Sequence, residues 1–449
     1  MVKTRFAPSP TGWLHIGGVR TALFSWLFSK SQNGQFILRI DDTDTTRSTK
    51  EYSEAIISAL KLLGLNHDNE IIYQSSRFDT YIDRIEQLLN NGDAYYDKIQ
   101  TNEKTKDTDL KVQFSNRLNQ EGHVIRFKNQ KKSAVKVNDL IHGEIVFEPN
   151  SFHDVVILRS NGIPTYNVTS VVDDIDFGIT HIIRGDDHLS NAAVQINIFN
   201  AFKSPLPIFA HLPMIHGKDG KRLSKRHGAV DIKYFIEEGY LSEAILNYLA
   251  RTGWSHGDKE IFAIKELLEL FTLEKVTKSA AIFDHDKLNW LNQHYIKNKE
   301  INEIIIMLSP YLDDLNIKVE DKKYLEKILK LGIEREFSLK KIAESLTYYF
   351  VDKVKYDMDV INKFDIKSIT PILDKAIEHF SLISFDKKEN IAKTMKLICE
   401  ELNMKFVEVG PIIRFALTGR LKAPSIDDLC FVLGSTNTLK RLNALKSSV

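Results

Sequence analysis

The stretch Arg5–Gly18, RFAPSPTGWLHIGG, decides how the chain begins to fold. Val2 to Phe6 is a brief extended run, and Pro8, Pro10 and Gly12 then deny regular structure. From Val19 the segment VRTALFSWLFSK has apolar residues at helical spacing. The order is therefore strand, stiff loop, helix N-terminus. The first turn of a helix leaves backbone N–H groups without intrahelical partners at the positive end of the dipole, which suits a phosphate. Gly17 and Gly18 would let such a ligand approach the backbone. Taken alone, the loop is equally an ordinary strand-to-helix turn.

The composition sets bounds on what that loop serves. A chain of 449 residues, 43% hydrophobic and 27% charged, holds enough apolar material for about three globular domains and has no character of disorder. Lys and Arg number 61 against 60 Asp and Glu, so a nucleic-acid partner would have to be gripped by local basic patches. The two cysteines, Cys399 and Cys430, fall in helical core patterns; they argue against a disulfide scaffold, for a reducing compartment, and are too few for a cysteine-ligated metal. Lys3 and Arg5 are followed by no apolar run of signal-peptide length, and no uncharged run approaches a membrane span, so a cytoplasmic protein is expected.

Outward from the opening loop, strands alternate with helices. QFILRIDDTD (Gln35–Asp44), EYSEAIISALKLLG (Glu51–Gly64) and EIIYQSSRFDTYIDRIEQLLN (Glu70–Asn90) predict a doubly wound α/β beginning. Between about Asn91 and Gly162 the texture changes to a polar KIQTNEKTKDTD and β-rich segments, which predict an inserted α/β module. Alternation resumes with THIIRGDDHLSNAAVQINIFNAF (Thr180–Phe202), a strand, an acidic loop and a helix. After about Tyr234 strands nearly vanish, and the remainder predicts a separate, mostly helical architecture.

A second loop gives the first one meaning. GKDGKRLSKRHG (Gly217–Gly228) sets Lys221, Arg222, Lys225 and Arg226 beside Ser224 on a turn begun by Asp219–Gly220, an arrangement able to clamp polyphosphate. A lone basic run is ordinarily a solvated surface turn. The pairing of the two loops resembles class I aminoacyl-tRNA synthetases: HIGG (His15–Gly18) is similar to their HIGH signature and RLSKR (Arg222–Arg226) to KMSKS. His15, Gly17, Ser224 and Lys225 match, while Gly18, Arg222, Leu223 and Arg226 depart from the consensus. With LRIDDTD, GIPTYNVTSVVDD, IIRGDDH, ARTGWSHGDKEIF, FDHDKLNWLNQHYI and RFALTGR added in order, the chain resembles bacterial glutamyl-tRNA synthetases over nearly its whole length.

The resemblance implies a Rossmann-type catalytic domain in two halves, residues 1–90 and 163–234, split by an acceptor-stem-binding α/β insertion at 91–162. A helical stem-contact domain at 235–310 and an all-α anticodon-binding domain at 311–449 follow. It implies glutamate activation by ATP, with release of pyrophosphate and transfer of glutamate to the 3′ end of tRNA. Such a displacement needs positioning and charge stabilisation rather than a side-chain nucleophile. His15 and Lys225 are then the catalytic residues, and Pro8, Thr11, Gly12, His15, Gly17, Gly18, Arg222, Ser224, Lys225 and Arg226 bind ATP, with magnesium carried on the nucleotide. By family position Arg5, Ala7, Ser9, Asp41, Tyr166 and Arg184 line the glutamate pocket. Asp41 faces the ammonium group where relatives carry Glu, so the contact runs directly, through water, or moves to Asp42.

Relatives that bind zinc use cysteines in the insertion; here GDAYYDK carries Tyr95 and Tyr96 instead, and no zinc is expected. Arg335, Lys340, Lys341, Arg414 and Arg420 are candidates for anticodon-arm contacts, each of them equally a residue on a solvated helix face. A monomer is expected. The tRNA is tRNA-Glu, with tRNA-Gln as an additional or alternative acceptor. A small-molecule nucleotidyltransferase would share the phosphate loops but has no use for the long helical C-terminal region, and a binding-only relative would not need His15 and Lys225.

Overall fold

The structure, a computed structural model, describes residues 1–44, 46–98, 116–130, 133–224 and 231–449. They fall into two units: residues 1–236 with 242–288, and residues 237–241 with 289–449.

The first unit starts as the sequence predicts, with β1 (Lys3–Phe6), α1 (Ile16–Ser31), β2 (Gln35–Ile40), α2 (Lys50–Leu62), β3 (Ile72–Tyr73) and α3 (Phe78–Asn90). There follow β4 (Ala94–Lys98), β5 (His123–Phe127), β6 (Val135–Asp139), β7 (Gly143–Phe147), β8 (Val155–Leu158), α4 (Tyr166–Asp176), β9 (His181–Gly185), α5 (Leu189–Ala201) and β10 (Ile208–Leu212). β2 pairs in parallel with β1 and β3, and β10 in parallel with β9 and β6. β1 and β9 meet where Thr180 N–H donates to Lys3 O (2.9 Å) and Lys3 N–H to Thr180 Oγ1 (2.8 Å). The chain thus leaves β1 in both directions across the sheet, and the crevice beyond the carboxyl ends of β1 and β9 is the switch point where α/β proteins bind ligands.

The alternation of the pleat decides which residues reach that crevice. Thr4 Oγ1 donates to Ser25 O on α1, whereas its neighbour Arg5 turns to Asp174 on α4. On β2, Ile37 packs in the core shared by α3, α4 and α5, and Arg39, two residues on, contacts Asp174 of the same α4. The burial of β2 along nearly its whole length is what a parallel strand covered on both faces requires. α1 is apolar on several sides because β1 and β2 lie beneath it and α7 (Ser242–Arg251) and α8 (Ile264–Leu270), which follow α6 (Ile232–Glu237), pack on it as well.

Residues 91–162, expected as an inserted α/β module, are described only in part. The described part carries strands and one 3-10 turn, Pro149–Ser151, while residues 99–115 lie outside the described residues. It is divided between two sheets: β4, β5 and β8 form an antiparallel sheet, and the β6–β7 hairpin extends the β9–β10 sheet. The change of texture at Asn91 therefore does not mark where the main sheet ends, because Asp139 pairs with Phe209 across sequence.

The second unit is helical. Asn292, fully buried, accepts from Leu241 N–H (2.8 Å) and donates to Phe337 O (2.7 Å), joining segments distant in sequence. Gly239, at φ 80°, is needed there, since a Cβ would lie 2.7 Å from that of Leu339. Arg441 ties the last helix, Ile426–Lys446, to Leu417 O (2.6 Å) and Tyr348 O (2.7 Å), and Gly434 breaks that helix at φ 73° and ψ 170°.

Candidate active site

A cavity of about 780 Å³ opens beyond the carboxyl ends of β1, β2 and β9. Arg5, Ala7, Pro8, Ser9, Thr11, His15, Gly17, Gly18, Asp41, Tyr166, Arg184, Arg222 and Ser224 all line it, so two loops more than 200 residues apart meet in one space. Gly12 does not line it, and Lys225 and Arg226 lie outside the described residues. The stiff opening loop is held against β2 by Asp41 N–H donating to Pro8 O (3.0 Å) and against the start of α2 by Thr49 N–H donating to Pro10 O (3.2 Å).

On the phosphate side His15 is the N-cap of α1, and its Nδ1 accepts from Gly17 N–H (3.1 Å). That amide is therefore spent within the loop. The Nδ1 lone pair being in use, the proton of the neutral ring sits on Nε2, free to donate to a phosphate oxygen. Burial, opposed by Asp231 and reinforced by Arg222, keeps His15 below the usual histidine range and so neutral. A Cβ at Gly18 would come within 2.9 Å of the Leu14 side chain, so the glycine serves loop packing in addition to any ligand. Arg222 is two-thirds exposed and reaches Asp187 at 3.2 Å.

Arg184 dominates the opposite side. Only 5% exposed, its guanidinium donates from Nε to His211 Nε2 (3.0 Å), from Nη1 to Tyr166 Oη (3.2 Å) and Gln195 Oε1 (2.7 Å), and from Nη2 to His188 O (3.3 Å). Every one of these acceptors is neutral, and no carboxylate among the described residues lies within 4.0 Å of it. Burial holds its pKa below the usual arginine value, with Arg5 adding to the effect and Tyr166 and Asp174 opposing it. A desolvated cation in this state has a strong demand for an anion.

Of the other arginines lining the cavity, Arg5 and Arg39 are compensated by carboxylates, whereas Arg20, 3% exposed, donates to Thr252 O and Pro213 O. Arg5 Nε donates to Asp174 Oδ1 (3.1 Å). Arg39, 2% exposed, grips Asp41 with two bonds (2.7 and 3.2 Å), Asp174 Oδ1 at 2.8 Å and Ser170 Oγ at 3.1 Å. Asp173 accepts from Gln74, Arg77 and Tyr81 at 2.8 to 3.0 Å. Arg39 serves several carboxylates, which outweigh burial and hold its charge firmly. Asp41, with one arginine as its main partner, is pushed by burial up to about 6 against the pull of Arg39 and Arg5. Asp42 does not line the cavity; its carboxylate accepts from Ser75 N–H (2.8 Å) and Oγ–H (2.6 Å).

The arginines proposed from the C-terminal region have distinct surroundings. Arg335 and Arg420 line one small cleft with Tyr348 and Lys422, Arg414 Nε donates to Pro424 O at 3.3 Å, and Arg420 Nη2 donates to Glu344 O and Thr347 Oγ1, both at 3.0 Å. Lys340 and Lys341 are ion-paired to Glu238 and Glu344. Sequence reasoning missed Arg39, Asp139, His188, Gln195 and His211. The polar residues inside the apolar runs QFILRI and PIFAHL were the available signal for Arg39 and His211, since a charge in a doubly covered strand needs a partner.

Known proteins share this arrangement of sequence and fold. The family model for the catalytic domain of class I tRNA synthetases (E and Q) matches residues 1–290, and the anticodon binding domain matches residues 303–446. A glutamate–tRNA ligase of Francisella tularensis (strain SCHU S4) is 42% identical, with 98% of each chain covered. Glutamate–tRNA ligase 1 of Coxiella burnetii is also 42% identical, covering 98% of this chain and 97% of the relative. The crystal structure of a glutamate tRNA ligase from Elizabethkingia meningosepticum in complex with its amino acid superposes with a TM-score of 0.81 at 31% identity, covering 100% and 99% of the two chains. The chain belongs to the glutamate–tRNA ligase family of class I tRNA synthetases.

Proposed function

We propose that the chain activates L-glutamate with ATP and transfers it to the 3′ end of tRNA. The observation that carries the choice of amino acid is Arg184, a buried guanidinium with neutral partners only, facing the cavity that also holds the N-terminus of α1. A glutamate α-carboxylate oxygen attacks the α-phosphorus of ATP, the bond to the β-phosphate oxygen breaks, and its electron pair leaves on pyrophosphate. A hydroxyl of the terminal ribose of tRNA then attacks the acyl carbon, and AMP leaves. His15 donates from Nε2 to the phosphates, Tyr166 and Arg184 hold the γ-carboxylate, Arg5 holds the α-carboxylate or shares the side chain, and Asp41 faces the ammonium group. Residues 91–162 would hold the acceptor stem, 235–310 the stem contact, and Arg335, Arg414 and Arg420 the anticodon arm.

Magnesium would enter on the ATP phosphates. Among the described residues no group of three or more His, Cys, Asp or Glu is placed to hold a metal, and no helix is long and apolar enough to cross a membrane. We place the enzyme in the cytoplasm, as a monomer. With no cysteine in residues 91–162 to supply a thiolate, elemental analysis is expected to find no stoichiometric zinc. Stoichiometric zinc would mean that histidines and carboxylates had taken the ligand role.

Charging of purified tRNA-Glu and tRNA-Gln by the purified protein tests the proposal. Glutamylation of neither would overturn it, and the ratio of the two defines the acceptor. Lys225→Ala is expected to lower kcat for glutamate activation by ~10²-fold with little change in ATP binding, because charge grows on the departing pyrophosphate only in the transition state. The state of Asp41 gives a pH dependence of definite sign. As the pH falls through about 6 its carboxylate takes up a proton and ceases to attract the ammonium group, so the KM for glutamate should rise. In Asp41→Asn that rise should vanish, with the KM high throughout.

A further inference from the structure

The side chain that meets Arg184 Nε is itself locked by a strand from residues 91–162. His211 is fully buried on β10, opposite Arg184 in the β9–β10 register. Its Nδ1 lies 2.6 Å from Asp139 Oδ2 at the end of β6. Asp139 is bound on all sides: Oδ1 accepts from Ile141 N–H and His142 N–H, both at 2.9 Å, and Oδ2 also accepts from His211 N–H at 3.0 Å. Those bonds, against the opposing effect of burial, keep the Asp139 carboxyl below the usual range and so ionised, an acceptor only. The proton shared with His211 must then belong to Nδ1. Burial, with Arg184 adding and Asp139 opposing, keeps His211 below its usual value, so the ring is neutral and carries no second proton. Its Nε2 lone pair is left for Arg184 Nε–H at 3.0 Å.

We propose that Asp139 and His211 are positioning residues that set the preference for glutamate: Asp139 selects the Nδ1–H tautomer of His211, which fixes the Arg184 guanidinium through a neutral acceptor and leaves its charge for the side-chain carboxylate of the substrate. The inference rests on Arg184 being the cation that meets that carboxylate. A carboxylate in place of His211 would align the guanidinium equally well but neutralise it from within, making the charge of the substrate redundant. The other tautomer would set a donor against a donor. Phe209 completes the mount, stacked against His211 at 5.9 Å and an interplanar angle of 7°, with Arg184 Cζ 5.7 Å from its ring centre.

The test is glutamate and glutamine activation, measured with tRNA present, in Asp139→Asn, His211→Gln, His211→Leu and the Asp139→Asn/His211→Gln pair. An amide at 139 donates toward Nδ1 and drives the proton to Nε2, so Asp139→Asn should raise the KM for glutamate ~10-fold, lower the glutamate-over-glutamine ratio similarly and leave the KM for ATP unchanged. His211→Gln places an amide oxygen near the lost Nε2 and should keep the KM for glutamate within about 3-fold, whereas His211→Leu should not. With no tautomer left to select, Asp139→Asn should cost little more in the His211→Gln background. An Asp139→Asn variant with unchanged glutamate KM and preference would overturn the proposal. So would an equal cost of Asp139→Asn in both backgrounds, which would mark a purely structural aspartate. The underlying assignment fails separately, if Arg184→Gln keeps the wild-type preference.

Discussion

Arg184→Gln should lower kcat/KM for glutamate activation by about 10²- to 10³-fold while changing glutamine activation far less. Glutamate and glutamine have nearly the same shape, so a pocket of fixed size cannot separate them, and the separating force must be electrostatic. In the wild-type protein a glutamine amide would leave the buried guanidinium without an anion and turn N–H donors toward N–H donors. Removing one partner of a buried, hydrogen-bonded charge pair costs ~2–5 kcal/mol, and each ~1.4 kcal/mol is tenfold. The variant loses that term for glutamate and removes the penalty for glutamine, so the ratio of the two kcat/KM values closes from both ends. Arg5→Gln should behave differently if Arg5 meets the α-carboxylate, which both amino acids carry: both activities should fall together. Activation assays on both amino acids, with tRNA present, check this. A wild-type ratio in Arg184→Gln would show that the selecting cation lies elsewhere.

The second large effect concerns Arg39, a cavity-lining residue whose hydrogen bonds go to Asp41 and to side chains of α4. It is bonded to Asp41, Asp174 and Ser170 and lies 3.5 Å from Asp173, all in the buried layer between β2 and α4. Arg39→Met is close in size but leaves Asp41 without its arginine and Asp174 and Asp173 with only Arg5 and Arg77, and breaking such an arrangement costs ~3–5 kcal/mol. Hydrogen exchange should then show lost protection in α4 and β2, with glutamate activation lost as Tyr166 and Arg5 shift. Because the cost is uncompensated charge rather than lost contact, Arg39→Met combined with Asp41→Asn and Asp174→Asn should regain much of the protection. Unchanged exchange in Arg39→Met would show the network to be incidental to the stability of α4.

The opening strand, its proline-rich loop and the helix behind it were legible because each follows from its own residues. Apolar spacing and prolines that forbid helix act over a few positions. The basic loop was legible as a charge run on a turn, and its pairing with the first loop came from resemblance. The side chains around them were harder to see. Arg5 and Arg184 entered through family position, since an arginine in a strand by itself is equally a surface residue. Arg39 and His211 stood in plain apolar runs, yet nothing local said which partners would neutralise or orient them.

By its own pattern, then, the sequence determined the parallel α/β beginning, the helical C-terminal region and the two phosphate-loop candidates, all of which depend on periodicity and turn chemistry within short windows. The tertiary structure alone decided that β6 extends the main sheet, that Asp174 on α4 holds both Arg5 and Arg39, and that Asp139 reaches Arg184 through His211. Those pairings join residues 27 to 169 positions apart. They exist because a charge shut away from water must find its complement in space, and the arrangement of strands across the sheet, not their order along the chain, settles which complement is within reach.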